Sequence, residues 1–387
     1  MKAVLSIDAV RHPLTGIGRY VFELARNLHR GDWPDIDLFF QRGGTVFPAT
    51  DVLLPPGDTI DRRPMILEMA SRYGQSLASL MHVERYVRRR RLERVLRSHA
   101  GSLFHGPQFY LPEHRGPKVV TIHDLTVFSH PQYHPSGRVA VMRREIRRSL
   151  RLADRVIADS DYVRDQIIRF SDVPASRIDT VYLAGASEFR PRAADEVSDL
   201  LKRLGLKYGG YCLMSATIEP RKNIGTLLDA YERLPRDLAC AFPLVLCGYY
   251  GWQSEDLHRR MERVAGQGWL HYLGYLPAAD LSDLFSAARL FAFPSLEEGF
   301  GLPVIEAMAS GVPVIMSNAS CLPEIGGGAA AMCDPYDVDA LAALLERGLQ
   351  DEDWRREMRA KGLARAAEFS FARCAAETVG VYRSVLE

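Results

Sequence analysis

The chain has 387 residues, 47% hydrophobic and 25% charged. This excludes a disordered tail protein, a collagen and a small disulfide scaffold, and at about 150 residues per domain it suggests two or three domains. Lys plus Arg number 49 and Asp plus Glu 48, a formal net charge of +1, so overall charge argues neither for nor against a nucleic-acid partner.

No run of about 18 uninterrupted apolar residues is present, so no membrane-spanning helix is expected. The opening MKAVLSIDAVRHP carries a charge at once and Asp8 soon after. It reads as a first strand and lacks the long apolar run of a secretory leader. Six cysteines form no CxxC pair, and several lie in apolar runs (YCLM, LVLCG, AAAMCD). They are expected to be free thiols in a reducing cytosol, with no disulfide and no structural zinc.

In chain order, residues 3–7 form a strand-length apolar run and Thr15-Gly16-Ile17-Gly18 a turn. Tyr20, Val21, Leu24 and Leu28 then recur at helical spacing. Further strands are predicted at 36–40, 102–105, 119–122 and 155–158. The pattern restarts in the second half. Strands are expected at 211–215, 244–247, 269–273, 290–293, 312–315 and 329–333. Helices are expected at 224–234, 279–288, 303–310 and 338–349, the last opened by Asp337 as N-cap. Strands alternating with helices imply parallel sheets covered on both faces. The charged stretch FRPRAADE interrupts the pattern near 189–195. It divides the chain into an N-terminal α/β domain, 1–190, and a C-terminal one, 191–371. A last helix, about 372–387, is free to pack on either.

The most informative segment is FPSLEEGFGLPVIEAM, Phe293 to Met308. A strand ends at Pro294, a glycine turn exposes backbone N–H groups, and a helix opens with Pro303 near its first position. A helix start behind a glycine turn suits a phosphate. Glu298 and Glu306 repel phosphate and suit the hydroxyls of a sugar or ribose. A capping device with a solvated helix glutamate fits the spacing equally. A second segment, Ser215 to Asn223, places Arg221 and Lys222 just beyond a strand. Their fork and point charge suit a diphosphate and the charge that builds on it as a leaving group, although a plain surface turn would look similar. A third, Thr121-Ile122-His123-Asp124-Leu125, puts a histidine at a strand end, where it is either a structural residue or one facing a cleft between the domains.

These stretches resemble the retaining, GT-B-fold glycosyltransferases of family 4. Glu298 and Glu306 match the E-x7-E signature, and the flanks FPSLEEGFGLPVIEAMASGVPVI and SNASCLPEIGG are similar to that family throughout. The resemblance implies two Rossmann-like, doubly wound sheets facing across a cleft. It implies that Glu298 contacts the donor sugar near its reacting carbon and that Glu306 binds the ribose. Backbone groups of Gly299, Phe300, Gly301 and Leu302 would hold diphosphate or sugar. IEPRKN is similar to the PRKN version of the family's diphosphate clamp. Thr217 stands where many members carry an arginine, so Arg221 beside Lys222 is the expected second cation. His123 resembles the family's HD histidine, by the donor sugar and the acceptor hydroxyl; whether it removes a proton is open. In the retaining mechanism discussed for the family, the leaving phosphate oxygen can accept that proton itself.

Gly16-Ile17-Gly18 lacks the third glycine of a dinucleotide fingerprint, Val21 standing there. NAD is therefore discounted, and the resemblance places this loop by the diphosphate and acceptor, with Arg19 adding charge. Gly248 resembles the nucleotide-side glycine loop, Tyr275 and Leu276 the segment flanking the base, and Ser160 the serine after a VS strand. Each also has an ordinary structural reading.

Arginine is concentrated in two stretches, Arg85 to Arg97 with seven and Arg138 to Arg151 with six. With apolar residues interleaved, they suit either a solvated helix face or peripheral contact with an anionic membrane. No recognition motif accompanies them, so no nucleic acid is expected. Four scattered Asp-x-Asp matches carry little weight, and neither a metal nor another cofactor is expected. The reading is a transferase moving a hexose from a nucleotide diphosphate to an acceptor hydroxyl, on a lipid-linked or saccharide acceptor, in the cytoplasm or at the inner face of its membrane. The resemblance is strongest to bacterial mannosyl- and rhamnosyltransferases of surface polysaccharide (O-antigen, lipopolysaccharide) assembly. It suggests GDP-mannose first and GDP-rhamnose or a UDP-sugar second. A non-catalytic sugar-nucleotide binder or an epimerase on the same fold are the competing classes.

Overall fold

The computed structural model describes residues 1–11, 14, 16–49 and 89–385. Its strands are short and apolar because both faces of each sheet are covered. In Leu244–Cys247, Leu290–Phe293 and Val314–Ser317 every residue is buried, the pattern of parallel strands beneath helices.

The first sheet contains β1 (Lys2–Ser6), β2 (Asp37–Arg42), β3 (Thr45–Pro48), β4 (Leu103–Gly106), β5 (Lys118–Ile122), β6 (Arg155–Ala158) and β7 (Ile178–Thr180), in the order β3-β2-β1-β4-β5-β6-β7. The second contains β8 (Cys212–Ser215), β9 (Leu244–Cys247), β10 (Leu270–Tyr272), β11 (Leu290–Phe293), β12 (Val314–Ser317) and β13 (Ala331–Cys333), in the order β10-β9-β8-β11-β12-β13. All pairings are parallel except the β2–β3 hairpin, which turns at Gly43 with φ +60°. Both sheets are doubly wound. The winding reverses between β1 and β4 and again between β8 and β11, and such switch points open a crevice beyond the carboxyl ends of the strands.

Six helices matter below: α1 (Gly16–Arg30), α2 (Ser136–Leu152), α3 (Asp161–Phe170), α4 (Leu302–Ala309), α5 (Glu352–Ala367) and α6 (Phe371–Ser384). The chain passes from the first lobe to the second between Thr180 and Cys212. It returns after α5, which packs on α4, because α6 lies against α1. Tyr382 of α6 reaches His105 of β4, its hydroxyl 2.7 Å from Nδ1, and Arg383 forks onto Asp35 at 2.7 and 2.8 Å. The last helix thus belongs with the first lobe.

The expected strands appear within a residue or two of their predicted bounds, with one instructive shift. β12 starts at Val314, two residues later than predicted. Val312 spends its N–H on Ala307 O, closing α4, and Pro313 has no N–H to give. Edge strands β3 and β7 and the charged helix α5 were not predicted. Asp337 caps its helix as expected, accepting from Ala340 N at 2.9 Å. All six cysteines are free, and only Cys240 is exposed. No helix among the described residues is long and apolar enough to cross a membrane.

Candidate active site

The residues singled out from β8 and β11 meet at one point. After β8, a single turn over Pro220–Lys222 presents Arg221 and Lys222. After β11, residues 294–301 carry Glu298 back toward them. Lys222 Nζ lies 2.5 Å from Glu298 Oε1, and Arg221 Nη1 lies 2.9 Å from Oε2. Ser295 Oγ also donates to Oε1, at 2.6 Å. Arg221 is further held by Glu219 at 2.7 and 3.1 Å and by the carbonyl of Glu297 at 2.6 Å. Asn223, left-handed with φ 56°, ties the turn to the facing loop through Pro294 O and Pro335 O.

Burial opposes the charge of Glu298, but Arg221 and Lys222 overcome it and hold the carboxyl at about 2. Burial, then the adjacent guanidinium, lowers Lys222 against the pull of Glu298. The result is a permanently ionised carboxylate clamped by two cations. Arg221 has its fork largely committed to protein oxygens. The ammonium of Lys222 has three N–H donors, of which one faces Glu298.

Glu306 lies one helical turn into α4, with seven residues between it and Glu298. The helix starts at Gly301, φ 89°, with proline in its first turn. Glu306 is only 7% exposed. Burial pushes its carboxyl up to about 7, with Arg19 pulling it partway down and Glu188 pushing it up. Arg19 Nη1 is 2.5 Å from Glu188 Oε1. The start of α1, with Gly16 and the buried Gly18, thus faces the second lobe near Glu306.

His123, just past β5, is fixed on both nitrogens. Nδ1 is 2.6 Å from Asp159 Oδ2, and Nε2 is 3.0 Å from the carbonyl of Pro107. A carbonyl only accepts, so Nε2 carries a hydrogen. Burial would lower the imidazole, yet the charge and hydrogen bond of Asp159 and the carbonyl of Pro107 raise it above its ordinary value. Burial correspondingly raises Asp159, against the pull of His123. So arranged, both ring nitrogens of His123 are engaged by protein partners. Beneath it run Tyr20, edge-on at 5.0 Å, Thr121 and His105. Burial pushes His105 down to about 3, so it is neutral.

The lobes touch where these groups converge. Ser160 Oγ donates to Gly299 O at 2.6 Å. A Cβ on Gly299 would fall 1.7 Å from His123 O, so only glycine allows the loop this close. Phe300 packs beside it, 4% exposed, and Leu302 begins α4. Gly248, Tyr275 and Leu276 lie farther out, beyond β9 and β10. Gly248 adopts φ +146°, with Ala216 O 1.8 Å from where a Cβ would stand, and Tyr275 stacks on Tyr249 at 4.5 Å.

Asp159, Glu219, Ser295 and Glu297 are site residues whose roles were not read from the sequence. Asp159 next to Ser160 at the end of β6 was the one available signal. Among the described residues, no group of three or more His, Cys, Asp or Glu is placed to hold a metal ion. Arg85 and Arg88 lie outside the described residues. On α2, Arg143 donates to Val127 O at 2.7 Å, Arg148 to Leu111 O at 2.5 Å and to Glu113 at 2.7 Å, and Arg138 lies 4.6 Å over Trp252. Much of that basic stretch therefore serves the protein's own packing.

The chain matches the family described as Glycosyltransferase Family 4 over residues 14–184 and that described as Glycosyl transferases group 1 over residues 205–365. It belongs to this family and is a glycosyltransferase with the GT-B fold. It is similar to the O-antigen chain mannosyltransferase B of Escherichia coli, 40% identical over 99% of this chain and 100% of that protein. Among solved structures it resembles the sucrose-phosphate synthase of Thermosynechococcus elongatus, with TM-score 0.71, 20% identity, and 100% and 98% of the two chains covered. It also resembles Anabaena HepE in complex with UDP-glucose, with TM-score 0.68, 17% identity, and 98% and 99% covered.

Proposed function

We propose that the chain transfers mannose from GDP-mannose, with retention of configuration, to a hydroxyl of a saccharide or lipid-linked acceptor in the assembly of O-antigen or a similar lipopolysaccharide polymer. The observation that carries this reading is the Glu298 carboxylate held between Arg221 and Lys222 at the switch point of the second sheet, opposite His123. The whole-chain likeness to a mannosyltransferase narrows the sugar.

In this reading the diphosphate meets the remaining donors of Lys222 and the N–H groups at the start of α4. Charge developing on the leaving phosphate is stabilised by cations already fixed in place, so no reorganisation is needed at the moment of bond cleavage. Glu298 takes the hydroxyls of the donor sugar and Glu306 those of the ribose. His123 lends positive charge rather than acting as base. The acceptor's proton goes to the leaving phosphate oxygen on the same face. Gly16, Gly18 and Arg19 border the diphosphate and acceptor, Gly248, Tyr275 and Leu276 the base. The chemistry needs neither a metal nor another cofactor. The arginines of the basic stretches 85–97 and 138–151 that the protein's own packing does not take up give peripheral contact with anionic lipid at the inner face of the cytoplasmic membrane.

The test is a thermal-shift panel of GDP-mannose, GDP-rhamnose and UDP-glucose. It is followed by transfer assays in EDTA, with the product anomer read by NMR. A bound donor raises the melting temperature by mass action. A shift with a UDP-sugar alone would replace the donor. An inverted product would end the retaining mechanism, and activity lost in EDTA and restored by manganese would end the metal-free one. Lys222→Ala is expected to weaken GDP binding in calorimetry, and an unchanged dissociation constant would remove Lys222 from the clamp.

A further inference from the structure

We propose that Glu297 and Glu324 are positioning residues that latch the second lobe onto the start of α3 and thereby set where Glu298 stands relative to His123. The inference rests on the proposed reaction only in taking the meeting of the lobes as the reaction site.

The argument begins with the backbone. The first N–H groups of a helix have no partner within it, and the helix dipole makes that end attractive to anions. In α3, Ser160 serves the N–H of Val163 at 3.2 Å. The N–H groups of Asp161 and Tyr162 are satisfied from the other lobe, by Glu324 Oε1 at 2.8 Å and Oε2 at 3.1 Å. The carboxylate therefore caps a helix to which it is not joined. It is braced from behind, since Arg365 of α5 donates to the carbonyls of Glu324 and Ile325 at 2.7 and 2.9 Å.

Glu297 makes the second half of the latch. It is 3% exposed and accepts from Tyr162 Oη at 2.8 and 2.9 Å and from Gln166 Nε2 at 2.8 Å, with His130 Nδ1 at 3.7 Å. All of these partners belong to the first lobe. With Ser160 Oγ on Gly299 O, five donors of residues 160–166 (Ser160 Oγ, Asp161 N, Tyr162 N, Tyr162 Oη and Gln166 Nε2) grip the second lobe.

Three of those donors grip the loop on either side of Glu298. Opening the lobes would strip two carboxylates of their donors at once, and buried polar groups lose most when left unpaired. Most of the proposed nucleotide contacts, Lys222, Glu306 and the start of α4, lie on the second lobe, so the latch bears on GDP affinity less than on the approach of His123 to the donor sugar.

The experiment compares wild type with the double variant Tyr162→Phe/Glu324→Ala, and with Glu297→Gln as a second variant should the double one fail to fold. Small-angle scattering of the free protein needs no donor. The variant is expected to have the larger radius of gyration. In transfer assays, kcat should fall by about tenfold or more while the GDP dissociation constant stays put, the pattern of a group acting on geometry rather than on ground-state binding. An unchanged radius overturns the latch. A larger radius with unchanged kcat overturns its positioning role, and so does a loss of kcat matched by a loss of GDP affinity. Should wild type transfer no sugar, scattering alone decides the latch, and only the proposed reaction falls.

Discussion

Replacing Glu306 by glutamine removes one ionisable group from a buried place and keeps its volume. In the free protein the carboxyl has been pushed by burial from 4.5 to about 7. At 1.36 kcal/mol per unit, its charged form costs the fold roughly 3 kcal/mol. The native state binds the extra proton, so this group's contribution is fully present below about pH 4.5. It declines as pH rises through 7, after which the penalty is complete. Glu306→Gln does not titrate. Its stability relative to wild type should therefore grow between pH 5 and pH 8 by up to roughly 3 kcal/mol. At about 2–4 °C per kcal/mol for a lobe of this size, the melting temperatures should separate by several degrees more at pH 8. Taking the difference between two pH values cancels whatever the amide gains or loses in packing. The assay is a pair of thermal melts at each pH. An identical gap at pH 5 and pH 8 would refute the reasoning. Loss of donor binding in the stabilised variant would mark Glu306 as a residue kept for function at the expense of the fold.

Glu298→Gln should lower turnover far more than donor affinity, as read from initial rates beside GDP-mannose titrations, and normal turnover would remove it from the chemistry. The same change leaves Arg221 and Lys222 buried with less compensation, a loss of about 3–5 kcal/mol when a buried pair is broken outright; an unaltered denaturant midpoint would contradict the clamp. Gly299→Ala places a methyl into the carbonyl of His123 and should abolish transfer while the melting temperature of the second lobe is kept. An active alanine variant would show that the loop need not approach so closely.

Much of this was legible in the sequence because buried parallel strands are written as short apolar runs, and because Gly299, Gly301 and Pro303 punctuate the turn before α4. Arg221, Lys222, Glu298 and His123 could each be placed at a strand end. What could not be read was which groups face them. Asp159 beside His123, Glu324 at the start of α3 and Glu297 under Tyr162 are surface-like acids in sequence. Asp159 meets His123 only because β6 lies beside β5, and Glu297 and Glu324 turn inward only where the two lobes meet. β3 and β7 are edge strands of four and three residues, too short to show a period. In α5 the charged residues blur the apolar stripe, although Asp351 accepts from Trp354 N at 2.9 Å and caps it.

The return of α6 to the first lobe has a mechanical consequence. The lobes are joined by two passes of chain rather than one, so they behave as a door hung on two pins. Swinging about the line through both crossings is cheap, whereas swivelling or sliding strains one of them. Cutting the chain after α5 would draw one pin and unseat Tyr382 from beneath the histidine shelf. Such a truncation should be felt at the catalytic face even though every residue proposed to touch sugar or phosphate would still be present.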